Sequence, residues 1–212
     1  MTPRAVKGAL AHGLGAAGRW GVRLIDAGLS RRLGVFAFCA EEESVLKVSP
    51  APARTGVTLA DGRRIPAGTP ILALHLWNER LAVLWAERRG LALATALVRR
   101  VRFSLRMLEK HLQGIDPGGR IAALHGEIGF IPASKLRGAT DLLERLGFEV
   151  RPRMTPGLRF WRGAFWQTLY SWWLMWTFGP VGLRTRTFRD MARVEVWMSR
   201  EALAHLYGDR GG

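Results

Sequence analysis

The run Ile71-Leu72-Ala73-Leu74-His75-Leu76-Trp77 is almost wholly apolar, follows a Pro-bounded turn at residues 66–70, and reads as a buried strand. Residues 79–112 come directly after it, with Leu81, Leu84, Trp85, Leu97, Val101, Leu105 and Leu108 at helical spacing and Gly90 as an interruption. Asp116-Pro117-Gly118-Gly119 is a turn by composition, and Arg120-Ile121-Ala122-Ala123-Leu124-His125 is the next strand candidate. A buried strand, a long helical stretch and a second strand require a layered structure, because the apolar side of each element must cover another.

The flanking segments fit the same plan. Val35-Phe36-Ala37-Phe38 and Ser44-Val45-Leu46-Lys47-Val48 are short runs of β-formers. Val57-Thr58-Leu59 and Arg64-Ile65 flank Asp61-Gly62, a hairpin signal because this pair tolerates positive φ. A helix is expected at 133–146, stopped by Gly147, with Phe148-Glu149-Val150 as a strand beyond it. Val194, Val196 and Met198 alternate on one face of a further strand. Ser199 then suits the N-cap of a last helix, with Glu201 in its first turn and Gly208 past its end. The expected fold is α+β: one compact domain over residues 35–212, with a small mixed sheet and packed helices, preceded by a basic helix over residues 1–34.

Charge is unevenly placed along the 212 residues. The formal net charge is +15, and nearly all of the basic residues are Arg, since only Lys7, Lys47, Lys110 and Lys135 are lysines. Residues 1–34 and 151–193 together supply +12 of it. A concentration of this kind favours an anionic partner such as phospholipid headgroups, nucleic acid or an acidic polymer. The single Cys39 excludes a disulfide framework, a zinc ribbon and any multi-Cys cluster. Arg4 and Lys7 suit the start of a secretory signal, but His12 and the many glycines leave no apolar core, so no cleaved signal is expected.

The segment 159–178 holds most of the tryptophan. Residues 163–183 carry no formal charge, a length that could cross a bilayer core of about 30 Å. Gln167, Thr168, Ser171 and Thr177 dilute this run, and Gly179-Pro180 ends a helix early. Aromatic residues also lie along its whole length, whereas spanning helices collect them near their ends. Two other placements suit it better. Phe165, Leu169, Trp172, Trp173 and Trp176 share one helical face, which can pack on a core or lie in a membrane interface. Arg159, Trp161, Arg162, Trp166, Trp172, Trp173, Trp176, Arg184 and Arg186 are the candidate contacts to an anionic surface.

Candidate chemistry sits in two strings, Leu74-His75-Leu76-Trp77-Asn78-Glu79 and Leu124-His125-Gly126-Glu127. Each places a His near a strand end with a carboxylate two to four residues on. If the strands pair, His75, Asn78, Glu79, His125 and Glu127 can meet, and imidazole beside carboxylate is acid–base machinery near neutral pH. Two His and two carboxylates are also chemically able to hold a divalent ion, although no motif assigns a metal or a cofactor. The plainer alternative for His75 is a strand-end residue bonded to backbone, and Asn78-Glu79 can simply begin a helix. His-Glu-x-x-His, a P-loop, Gly-x-Ser-x-Gly and GxGxxG are all absent. No RNP motif, zinc finger or helix-turn-helix supports nucleic-acid binding, which rests on basic and aromatic composition alone.

Three of these strings resemble the YkoP-like domain of bacteria. They are the Asp61-Gly62-x-x-Ile65 hairpin, the Gly68-x-x-Ile71-x-x-Leu74-His75-x-x-Asn78-Glu79 run, and Trp197-Met198-Ser199-Arg200-Glu201-x-Leu203-x-x-x-Tyr207-Gly208. The resemblance covers roughly residues 35–208, and its matching positions at the candidate site are His75, Asn78 and Glu79. Such domains occur alone or joined to polysaccharide-deacetylase-like domains, which implies work on cell-envelope polysaccharide or glycolipid. The basic N-terminal segment and the Trp density of 160–178 depart from the family pattern. The resulting expectation is a cytoplasmic protein held peripherally on the anionic inner membrane, with an accessory role in envelope polysaccharide or glycolipid metabolism. A small His/Glu enzyme and a nucleic-acid-binding module are the alternatives.

Overall fold

The computed structural model describes residues 34–153 and 191–208. In chain order the elements are β1 (Leu46–Pro52), β2 (Val57–Thr58), β3 (Arg64–Ile65), β4 (Pro70–Leu76), α1 (Asn78–Glu87) and α2 (Gly90–Ile115). After these come β5 (Ala123–Pro132), α3 (Leu136–Arg145), β6 (Glu149–Arg153), β7 (Met191–Ser199) and α4 (Arg200–Tyr207). The fold is α+β, with a five-stranded mixed sheet of order β1-β4-β5-β7-β6 and a separate β2–β3 ribbon. The expected basic helix at 1–34, save Gly34, and the Trp-rich helix at 159–178 lie outside the described residues.

The sheet is antiparallel except at its centre. There β4 and β5 run parallel, with Ala73 beside His125 and Leu74 beside Gly126. Parallel neighbours need a long crossover, and α1 and α2 provide it. The helical stretch is split where Arg88 and Arg89 are both extended, so two helices stand where one interrupted pattern was read. The 35–38 run does not become a strand; it makes only an isolated bridge between Phe36 and Val48. In the other direction β5 runs on to Pro132, well beyond the apolar stretch that announced it.

Period-two alternation sorts the sheet into two faces. Leu46 and Val48, Leu72, Leu124, and Val194, Val196 and Met198 point one way and form the main core with Leu105, Leu108 and Leu112 of α2. Each of these helix leucines is fully buried, worth about 1.5–3 kcal/mol apiece against exposure. Leu136, Ala139 and Leu143 of α3 and Leu203 of α4 close the same face. Ser104, on this inner side of α2, satisfies two buried groups: its hydroxyl accepts the Val45 amide at 2.9 Å and donates to the Arg100 carbonyl at 2.8 Å.

The opposite face is divided along its length. At one end Ile71, Ala123 and Trp197 pack under Val57, Leu59 and Ile65 of the β2–β3 ribbon. Gly62 makes the ribbon's turn at φ 83°, a conformation with almost no cost only for glycine. Beyond this apolar end the face turns polar, and the candidate residues lie there.

Candidate functional site

Strand register assembles the site. His125 is beside Ala73 in the parallel pair, so His75, two residues beyond Ala73, shares a face with His125 and Glu127. With strands about 4.8 Å apart and about 3.3 Å of rise per residue, the His75 and His125 Cα atoms lie roughly 8 Å apart. On the other side of β5 the antiparallel partner is β7, which sets Glu195 directly opposite Glu127 and Trp197 opposite His125. One nitrogen of His125 and one oxygen from each of Glu127 and Glu195 lie within 4.8 Å of one another. The imidazole rests on the Trp197 indole, with ring centroids 4.3 Å apart and the planes tilted by 40°. Trp197 is itself 5% exposed and locked under the ribbon, so it is a fixed platform for the ring.

The sequence candidates divide around this cluster. His125 and Glu127 are brought together and joined by Glu195, which sequence reading did not single out. His75 is on the same face, with its Nε2 at 2.9 Å from the Ser49 hydroxyl on the neighbouring strand β1. Glu79 is engaged elsewhere, its carboxylate accepting the Trp77 indole N–H at 3.0 Å. Asn78 opens α1, but Trp77 occupies the N-cap position and no side chain caps that helix. Among the described residues, then, Glu79 is not part of the His125 group. His111 is half-buried, its ring centroid 6.2 Å from those of both Phe36 and Phe38. Arg159, Trp161, Arg162, Trp166, Trp172, Trp173, Trp176, Arg184 and Arg186 lie outside the described residues.

Trp77 anchors a second cluster close in sequence to His75. Its ring carries Lys47 Nζ at 4.6 Å and the Arg80 guanidinium at 3.5 Å from the centroid. Arg80 also donates to the carbonyls of Ala40, Glu41 and Ser44, which pins the 40–44 loop to α1. Burial holds the Arg80 pKa below its ordinary value; an arginine stays charged at neutral pH even so. Cys39, just before this loop, is a buried free thiol.

An open cleft of about 370 Å³ lies on the far side of Trp197, lined by Asp61, Glu144, Glu149 and Ser199. Glu149 accepts the Ala60 amide at 2.6 Å and pairs with Arg151 at 2.6 Å. The Asp61 carboxyl is held below its ordinary value, first by the Ser199 hydroxyl and then by the Arg63 amide. These carboxylates are hydrogen-bond acceptors that suit a hydroxyl-rich ligand, while the His125 group next door can exchange protons or hold a cation.

No helix among the described residues is long and apolar enough to cross a membrane. A family model described as the YkoP domain matches residues 54–207, a span containing every element from β2 to α4 and His75, Glu79, His125, Glu127, Glu195 and Trp197. No curated protein and no solved structure matches the chain.

Proposed function

The chain belongs to the YkoP domain family, and from that premise we propose that this domain is a small enzyme whose reacting centre is His125, Glu127 and Glu195. The convergence of these three groups within 4.8 Å carries the reading. One carboxylate or the imidazole takes the proton from a water or hydroxyl nucleophile, and another returns it to the leaving group. His75, on the same face, is the remaining titratable candidate. The substrate class is envelope polysaccharide or glycolipid. That choice is supported by the cleft of acceptor groups beside Trp197 and agrees with what the resemblance of the sequence implies.

The test is turnover of acetylated hexosamine oligosaccharides and of lipid-linked glycans by the full chain, with products read by mass spectrometry. His125→Ala and Glu195→Gln are each expected to lower the rate by about a hundredfold or more, the usual contribution of a positioned acid or base. Wild-type rates in both variants, or no turnover of any such glycan by the wild type, would sink the proposal.

A second reading, peripheral attachment to an anionic membrane, is favoured by a separate observation. Arg99, Arg100, Arg102 and Arg106, against a single acid, Glu43, line one open groove of about 360 Å³ along α2, adding to the basic segments at 1–34 and 151–193. Attachment would hold the enzyme near lipid-linked substrate. Flotation with anionic vesicles at low and high salt tests it: recruitment at low salt and release at high salt are expected. Failure to float at low salt rejects it.

A further inference from the structure

We infer that His125, Glu127 and Glu195 form a binding site for one divalent transition ion, Zn²⁺ or Mn²⁺. This rests on the same three residues as the proposed acid–base centre, but it is a claim about binding. The donor set is one imidazole nitrogen and two carboxylate oxygens within 4.8 Å of one another. Donors around a single ion with bonds of about 2.1 Å lie roughly 3–3.5 Å apart. Loading the site therefore requires the two Glu side chains to turn inward from their present contacts. A nitrogen donor with two oxygens suits zinc or manganese, whereas calcium and magnesium prefer oxygen alone.

The backbone register gives an independent reason. Glu127 and Glu195 are directly opposite on neighbouring antiparallel strands. That pairing brings both carboxylates to the same place on the sheet face beside His125, with Arg151 of β6 opposite Glu195 on its other side, so a dication there meets both oxygens without any change of register. The third donor is also pre-positioned: the His125 ring is set by the Trp197 indole at 4.3 Å, and Trp197 is fixed beneath the ribbon core. Three protein donors leave room in the coordination sphere for water or a substrate oxygen, the arrangement of a reactive rather than a sealed metal centre.

The experiment uses the full chain after dialysis against chelator. Calorimetric titration with Zn²⁺ and with Mn²⁺ is expected to give one ion per chain, with a rise in thermal midpoint on loading. His125→Ala and the near-isosteric double variant Glu127→Gln/Glu195→Gln are each expected to weaken binding at least a hundredfold. Asp141→Asn on the exposed side of α3 should bind like the wild type. The Gln pair keeps the shape of both side chains, so a cooperative unfolding transition without metal certifies folding. Absence of binding by the wild type at millimolar metal overturns the inference, as does equal binding by the variants. Loss of turnover in His125→Ala without any metal binding removes the inference and leaves the acid–base reading standing. Metal binding with unaltered turnover in every variant does the reverse.

Discussion

The Ser199 hydroxyl accepts the Ala202 amide at 3.1 Å and also hydrogen-bonds to the Asp61 carboxylate, so one oxygen caps α4 and ties it to the β2–β3 ribbon. Loss of an N-cap of this kind costs about 1 kcal/mol. Ser199→Ala should therefore lower stability by about that amount at neutral pH, read from urea unfolding. The Asp61 bond adds a pH signature with a definite sign. Asp61 titrates below its ordinary value in the folded chain, so its contribution is full at neutral pH and is lost as the pH falls through that depressed value. The gap between wild type and Ser199→Ala should narrow in acid and leave only the cap's share. A gap that stays constant down to acid pH would show that Asp61 plays no part. Asp116 follows the same sign: its carboxylate accepts the Ile121 and Arg120 amides at 2.8 and 3.0 Å, and the Ile121 bond leads in holding its pKa down.

Between elements, a buried ion pair joins α4 to α2. Arg200 pairs with Glu109, whose side chain is 2% exposed and also accepts from Gln113 at 3.1 Å. Removing one partner of a buried pair leaves the other charged and desolvated, at a cost of about 3–5 kcal/mol. Arg200→Met should lose about that much, while Glu109→Leu/Arg200→Met should recover most of it in the same unfolding assay. A double variant as unstable as the single one would show that packing, not the unpaired charge, sets the cost. Other features of α4 were legible from local sequence. Its Ser199 cap, its first-turn Glu201 and the preceding β7 alternation all lie within a few residues of one another. So was the Asp61-Gly62 turn, because only glycine relaxes at a φ of 83°. The site was half legible for the same reason. His125 and Glu127 are two apart on one strand, and alternation alone puts them on one face. Glu195 is the opposite case: its position depends on the β5–β7 register, which pairs residues 68 apart and leaves no mark in either string. Glu79 misled because proximity in sequence to His75 counted for more than the helix start between them, and the Trp77 indole claims its carboxylate.

At the scale of the molecule, α2 performs two roles on opposite sides. Leu105, Leu108 and Leu112 are buried against the sheet, while Arg99, Arg102 and Arg106, at the same helical spacing, line the outer groove with Arg100 and Phe103. The sheet's own polar face, with His75, His125, Glu127 and Glu195, is therefore on the side away from this basic surface. Chemistry and attachment can then occupy separate surfaces, and substitutions in one should leave the other intact. Each basic residue near an anionic bilayer contributes about 1 kcal/mol. Reversing three of them (Arg99→Glu/Arg102→Glu/Arg106→Glu) should lower recruitment to phosphatidylserine vesicles by roughly a hundredfold or more at low salt. Metal binding and glycan turnover in free solution should be unaffected by the same triple change, since the reversed residues lie across the sheet from the His125 group. In 1 M salt, where screening acts within about 3 Å, wild type and variant should converge on weak recruitment. If the variant floats as well as the wild type at low salt, α2 does not face the membrane. Deletion of residues 1–33 in the same assay would then show whether the N-terminal basic segment carries the attachment instead.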